Sequence, residues 1–159
     1  MREGEQEMEI ERKFLIKQLP ENLESFSFHR IEQAYLCTEP VIRLRQQDDE
    51  FILTYKSKGF LSREEYNLPL NREAYEHLKT KVDGIIITKK RYLIPLPDGL
   101  TVELDIFENP YQNLQLAEVE FPCEDRAKKF TPPHWFGEEV TYSDTYQNST
   151  LSQNLSKKE

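Results

Sequence analysis

The 159-residue chain is poor in cysteine: Cys37 and Cys123 are its only two, and neither has a CxxC partner. That count excludes a disulfide framework and a cysteine-rich metal site, and the expectation is two reduced thiols in a cytoplasmic protein. Its three histidines, His29, His77 and His134, have no ligand spacing, so nothing points to zinc. Long apolar runs are missing too. None approaches the roughly 20 residues a membrane helix needs, and residues 1–7 are polar and acidic, without the apolar stretch of a secretory signal. Positive charge is in deficit: 21 Lys and Arg against 29 Asp and Glu leave a formal net charge of −8. That is the wrong sign for coating a nucleic-acid polymer, although local cations can still hold a small anion. No Ser-His-Asp or Cys-His set is visible, and covalent catalysis is not expected.

What the chain has in quantity is charge, 31% of residues against 37% hydrophobic. A single domain of this length buries a real core, so the surplus charge must coat a surface or fill a cavity. Period-two alternation dominates and predicts eight strands, at 8–17, 30–37, 41–47, 51–58, 63–70, 85–96, 100–108 and 114–121. Turn residues separate them: Glu39-Pro40, Asp48-Asp49, Lys58-Gly59, Pro97-Asp98-Gly99 and Asn109-Pro110. A helix is expected over 71–82, capped by Asn71, with Tyr75, Leu78 and Val82 on one face and Asp83-Gly84 ending it. A second short helix is expected over 124–130, stopped by Pro132-Pro133. The tail from Ser143, with Tyr146, Leu151 and Leu155 loosely spaced, reads as a docking helix or a frayed end. With no repeat and no linker, the expectation is a single domain over 1–159 with its core at about 7–150.

The polar face of these strands is sorted by sign. Glu9, Glu11 and Lys13 oppose Met8, Ile10, Phe14 and Ile16; Arg43 and Arg45 oppose Ile42 and Leu44. Lys56 and Lys58 share a face, as do Glu103 with Asp105 and Glu118 with Glu120. Like charges two apart on a strand repel, and folding alone gains nothing from them. Cation pairs on some strands and carboxylate pairs on others suggest two charged shells meeting in one cavity. Eight antiparallel strands can close into a barrel wide enough for one small ligand. A triphosphate with divalent cations would satisfy both shells, because guanidinium and ammonium groups grip phosphoryl oxygens and carboxylates hold hard cations. The competing interpretation is a solvated sheet surface on an acidic protein.

The run Glu9-Ile10-Glu11-Arg12-Lys13-Phe14-Leu15 resembles the ExExK signature of the CYTH superfamily, the triphosphate tunnel metalloenzymes. Gln33-Ala34-Tyr35-Leu36 is similar to the family's second strand, Ile42-Arg43-Leu44-Arg45 to its RxR strand, and 53–59 and 62–66 to the two strands that follow. Lys90-Arg91-Tyr92 resembles the sixth-strand arginine, while 102–105 and 116–121 resemble the two carboxylate strands. Segments 135–141 and 146–148 look like the short bacterial members, so the resemblance runs in order along nearly the whole chain. Gln147 departs from the basic or small residue of many members, and no phosphate contact is assigned to the tail.

The resemblance implies a β-dominated α+β fold: an eight-stranded antiparallel closed barrel, a tunnel open at both ends, with a few peripheral helices. It implies an inorganic triphosphatase that cleaves tripolyphosphate with Mg²⁺ or Mn²⁺. The alternatives are a nucleoside or thiamine triphosphatase, a class IV-type adenylate cyclase, or, in another class, a non-catalytic polyphosphate-binding module. Arg43, Arg45, Lys56 and Arg91 would bind phosphate, with Lys58 and Arg63 in support. Glu9, Glu11, Glu103, Asp105, Glu118 and Glu120 would hold metal, Glu65 standing as a further candidate. Lys13, Tyr35 and Glu11 are the expected catalytic groups, with Lys13 and Tyr35 as a coupled pair; Lys13, if its pKa is depressed by nearby cations, could take a proton from water. The expected partner is a small anionic substrate, tripolyphosphate or a triphosphate ester, with neither nucleic acid nor membrane, in a monomer or homodimer.

Overall fold

The computed structural model describes residues 6–108 and 110–157, with side chains over 8–108 and 110–153. The alternating segments form β1 (Gln6–Ile16), β2 (Phe28–Thr38), β3 (Val41–Gln47), β4 (Glu50–Lys56), β5 (Ser62–Leu70), β6 (Asp83–Pro95), β7 (Thr101–Phe107) and β8 (Gln115–Glu120). A ninth strand, β9 (Phe136–Glu139), and the helices α1 (Arg72–Lys79), α2 (Glu124–Lys129) and α3 (Asn148–Lys157) complete the regular structure. The sheet runs β5-β4-β3-β2-β6-β7-β8-β1, every pairing with its neighbour is antiparallel, and β1 returns to β5. Eight strands therefore close on themselves, as expected. Among the described residues no helix is long and apolar enough to cross a membrane.

Closure depends on how β1 divides its length. Residues 6–10 pair with β5 and residues 11–15 with β8. Beyond Ile10 the β5 side of β1 would be a bare edge, which β9 covers by pairing at Phe14 and Ile16. The sequence reading missed this strand.

Most of the apolar core lies outside the barrel wall. Ile10, Phe14, Val102, Leu104, Ala117 and Val119 face outward and pack beneath Ala127 of α2, Phe130 and Phe136. Arg12 ties this cover down, donating to the carbonyls of Ala127 (2.9 Å) and Phe130 (3.1 Å) and to Glu139 (2.8 Å). On the opposite wall Tyr75 of α1 packs against Leu44 and Phe51. Asn71 Oδ1 caps α1 by accepting from Ala74 N (2.7 Å), and the helix stops at Lys79, earlier than the expected 82. It is shortened because Asp83 and Gly84 already belong to β6.

One end of the barrel is filled. Ile87, Phe107, Leu116 and Leu15 share the inward face with the charged residues and pack against Val140 and Leu151 of α3. The tail is thus a docked helix; the side chain of Leu155 lies outside the described residues, as does Asn109 of the expected Asn109-Pro110 turn. Gly84 has φ +74°, and a Cβ there would stand 2.2 Å from the Ser152 carbonyl oxygen, so α3 can seat only against glycine. The resemblance implies a tunnel open at both ends, whereas here α3 covers this one.

Candidate functional site

Register sets the interior in rows. Going round the wall, Tyr35 pairs with Arg43, Arg43 with Thr54, and Thr54 with Asn67. On the other side Glu11 stands opposite Glu120, Lys13 opposite Glu118, and Glu118 opposite Glu103. In the circular strand order β8 lies four strands from β3 in either direction, so the two are diametrically opposed. The β7-β8-β1 wall carries Glu103, Glu118, Glu120, Glu9 and Glu11; the facing β3 carries Arg43 and Arg45. Together they line a cavity of about 250 Å³, in which Tyr35 is the single aromatic lining residue among the described residues.

Buried charge here is largely paired. Lys56 Nζ lies 2.7 Å from Glu9 and 3.7 Å from Glu65, and Arg63 donates to Glu9 at 3.0 Å. Burial alone would raise the Glu9 carboxyl, but Lys56 and Arg63 outweigh it and hold it at about 2. Arg91 bonds Asp105 through two nitrogens (2.7 and 2.9 Å) and reaches Glu103 at 3.3 Å and Glu118 at 3.7 Å. Lys13 lies 3.7 Å from Glu118 and donates to the Tyr146 carbonyl at 3.1 Å. Glu118 is held well below the usual carboxylate range: burial opposes this, and Lys13, Arg91 and Lys89 prevail.

Four of the sequence-predicted groups escape this pairing. Among the described residues no cation lies within ion-pair distance of Glu11 or Glu120, and no carboxylate within that distance of Arg43 or Arg45. Burial raises Glu11 well above its ordinary value, helped by Glu118 and Glu9. Glu120 is pushed up to about 7 by burial and by Glu9, Glu103 and Glu65, although its side chain reaches the rim, where water tempers the shift. Burial lowers Arg45 to about 9, with Arg43 and Arg91 adding repulsion. Arg43 bonds Thr54 (3.3 Å) and Arg45 bonds Gln33 (2.8 Å), leaving both Nε atoms buried without a partner.

All but two of the residues expected from the sequence border this cavity. Lys58 does not: β4 ends at Lys56, and Lys58 is an exposed loop residue, paired with Glu39, beside a separate cavity at the barrel mouth. Asp105 lies behind the lining, fully buried, with both oxygens engaged by Arg91 and Lys89. The partners of Lys13 are a carboxylate and a carbonyl, and among the described residues no hydrogen bond joins it to Tyr35. Unforeseen residues are Lys89, paired with Asp105 at 2.7 Å, Thr54 and Asn67, and Gln147, Asn148 and Ser149 at the head of α3. Thr54 and Lys89 were findable, each standing two residues from a chosen cation on the same strand face.

The oxygen donors suit a hard divalent cation in kind. Glu118 Oε1 is buried with no hydrogen-bond partner, 3.7 Å from Lys13 Nζ, and among the described residues Glu11 and Glu120 have no cation within ion-pair distance. Among the described residues no three such groups are yet close enough to enclose an ion.

The chain is 43% identical over 149 residues to the inorganic triphosphatase of Nitrosomonas europaea, covering 91% of this chain and 96% of that protein. It is 33% identical over 150 residues to the inorganic triphosphatase of Acetivibrio thermocellus, covering 92% and 94%. A crystal structure of an inorganic triphosphatase matches with a TM-score of 0.68 at 40% identity, covering 91% of this chain and 93% of that one. The family model of the CYTH domain matches residues 7–152. That span takes in every strand of the closed barrel from Glu7 onward and both of its charged walls, and the chain belongs to the CYTH domain family.

Proposed function

We propose that this protein hydrolyses inorganic tripolyphosphate to pyrophosphate and phosphate with the help of Mg²⁺ or Mn²⁺. The observation that carries the reading is the pair of opposed walls, with Arg43 and Arg45 unneutralised on one and Glu11 and Glu120 unneutralised on the other. An oligophosphate bridged to a divalent cation would complete both. The names of the two bacterial relatives support the same reaction.

Arg43, Arg45, Lys56 and Arg91 surround the phosphate chain, because phosphoryl transfer spreads negative charge over peripheral oxygens and must be met by fixed cations. Arg63 acts through Glu9, holding that carboxylate in place; Glu65 does the same for Lys56. Glu11 and Glu120 would hold the metal, with Glu118, Glu9 and Glu103 beside them. A bound divalent cation supplies Lewis acidity, drawing charge from phosphoryl oxygens and making water more acidic. Lys13 and Tyr35 line the same cavity and orient the terminal phosphate for in-line attack. Asp105, its oxygens already engaged, positions Arg91 and Lys89 rather than metal.

A nucleoside triphosphatase or cyclase needs a place for the base, and among the described residues the lining offers no stacking surface beyond Tyr35. A non-catalytic binding module would need the cations without the unpaired carboxylates. Phosphate release from tripolyphosphate, ATP and thiamine triphosphate, each with Mg²⁺, Mn²⁺ or EDTA, tests the proposal. Tripolyphosphate should be cleaved at least about tenfold more efficiently than ATP, a discrimination within reach of one buried polar contact, and EDTA should stop the reaction. Preference for ATP, or formation of cyclic AMP, would overturn it.

A further inference from the structure

Three neighbouring strands carry a relay that ends in an uncharged donor. Arg43 on β3, Thr54 on β4 and Asn67 on β5 are register partners, and all three border the central cavity. They are 6%, 0% and 4% exposed. Arg43 Nη2 lies 3.3 Å from Thr54 Oγ1, which lies 2.7 Å from Asn67 Oδ1. A guanidinium has only donors, so the Thr54 oxygen accepts from Arg43 and its one proton must go to an acceptor. That acceptor is the Asn67 carbonyl oxygen, and this fixes the amide orientation. The amide nitrogen Nδ2 is left over, buried and without a hydrogen-bond partner. An unpaired buried donor is costly, and a relay serving folding alone has no use for one.

We propose that Asn67 is a ligand-binding residue whose Nδ2 donates a hydrogen bond to a phosphoryl oxygen beside Arg43. The assignment rests on the triphosphatase reading and deepens it. Phosphoryl oxygens only accept, so the free donor of Asn67 and the free Nε of Arg43 address one kind of ligand atom. The amide adds a directed bond without adding charge, and the relay makes the same residue a support for Arg43.

Steady-state kinetics on tripolyphosphate with Mg²⁺ tests this through two variants that a structural role would rank oppositely. Asn67→Asp keeps size and the acceptor for Thr54, but replaces the free donor by a carboxylate oxygen. Asn67→Ala removes both. If Asn67 binds phosphate, KM should rise about thirtyfold in Asn67→Asp and about fivefold in Asn67→Ala, with kcat changed less than about threefold. If Asn67 only supports Thr54, Asn67→Ala is the worse variant, and that order, or a KM near wild type in Asn67→Asp, overturns the proposal. Should Asn67→Asp fail to fold by circular dichroism, Thr54→Val decides beside Asn67→Ala, because it breaks the relay and keeps the Asn67 amide: a KM raised in Asn67→Ala but not in Thr54→Val supports the assignment, and equal rises in the two, or an unchanged KM in Asn67→Ala, overturn it. A wild-type protein inactive on tripolyphosphate would overturn the triphosphatase reading and this assignment together, whereas an active wild type with indifferent Asn67 variants would overturn this assignment alone.

Discussion

Glu11 on β1 stands directly opposite Glu120 on β8, and among the described residues neither carboxylate has a cation within ion-pair distance. Two acids facing each other across adjacent strands repel when ionised, so the metal-free fold stores a like-charge contact. Replacing either by Gln removes that repulsion and also removes a proposed metal ligand. Glu11→Gln and Glu120→Gln should abolish turnover while leaving the melting temperature of the metal-free protein equal or higher. Mg²⁺ with tripolyphosphate should stabilise wild type by mass action and the variants much less. Melting curves paired with rates check this; unchanged activity in Glu11→Gln would refute the proposed metal role.

Burial of these two acids, beside Glu9, Glu103, Glu65 and Glu118, gives the metal-free protein a distinctive pH dependence. Glu120 sits near 7 in the fold against 4.5 ordinarily, and Glu11 shifts in the same direction. Between these values the folded state holds a proton that the unfolded state has released, so stability should fall as pH rises from about 4.5 to 7. Glu9, held at about 2, works the other way and withdraws stability as pH falls from 4.5 toward 2. Metal-free melting temperatures should therefore peak near pH 4.5. Glu120→Gln, or saturating Mg²⁺ with tripolyphosphate, should flatten the upper limb. A melting temperature that climbs from pH 4.5 to 7 in wild type would contradict the assignment of raised carboxyls.

Arg43 and Arg45 face that acidic wall, and among the described residues neither has a carboxylate within ion-pair distance. Truncating either to Ala should remove charge-assisted bonds of roughly 1.5–3 kcal/mol to phosphate, a loss of at least about tenfold in kcat/KM. Circular dichroism should stay native, because each truncation removes one buried guanidinium and its repulsion with the other. Arg43→Lys should recover little, since an ammonium cannot reproduce the planar fork that reaches Thr54 and ligand together. Near-wild-type rates in both Ala variants would mark these arginines as structural.

These contrasts follow what a linear sequence can and cannot carry. Alternation sorted by sign was enough to put Arg43, Arg45, Glu9, Glu11, Glu118 and Glu120 in one barrel, because side-chain direction on a strand repeats every two residues. Depth along the strand has no such signal. Glu103 and Asp105 look alike in Val102-Glu103-Leu104-Asp105, yet one borders the cavity and the other lies behind it between Arg91 and Lys89. β9 was illegible for a different reason. Its four residues form a strand because the stagger of β1 leaves an edge beyond Ile10, a property of closure and not of Phe136–Glu139. Asn67 and Thr54 are neutral, so a pattern of charge along the strands does not single them out.

Lys56 and Lys58 show how much one strand end decides. In sequence they are equivalent, two residues apart in Tyr55-Lys56-Ser57-Lys58. In the fold Lys56 is buried between Glu9 and Glu65, and Lys58 is an exposed loop residue against Glu39. Exposed pairs contribute little, so Lys58→Ala should change kcat/KM less than about twofold and leave stability unaltered within about 0.5 kcal/mol. Lys56→Met should do far more. It keeps the stem and removes the charge, leaving Glu9 with Arg63 alone and Glu65 with no cation. Losing one partner of a buried pair costs about 3–5 kcal/mol when the remaining charge is stranded; with Arg63 still on Glu9, about 1–3 kcal/mol is expected here. Turnover should fall at least about tenfold through loss of a phosphate contact of similar strength. Adding Glu65→Gln to Lys56→Met should restore part of the stability and none of the activity. Equal effects of Lys56→Met and Lys58→Ala on rate would show that neither lysine meets the substrate.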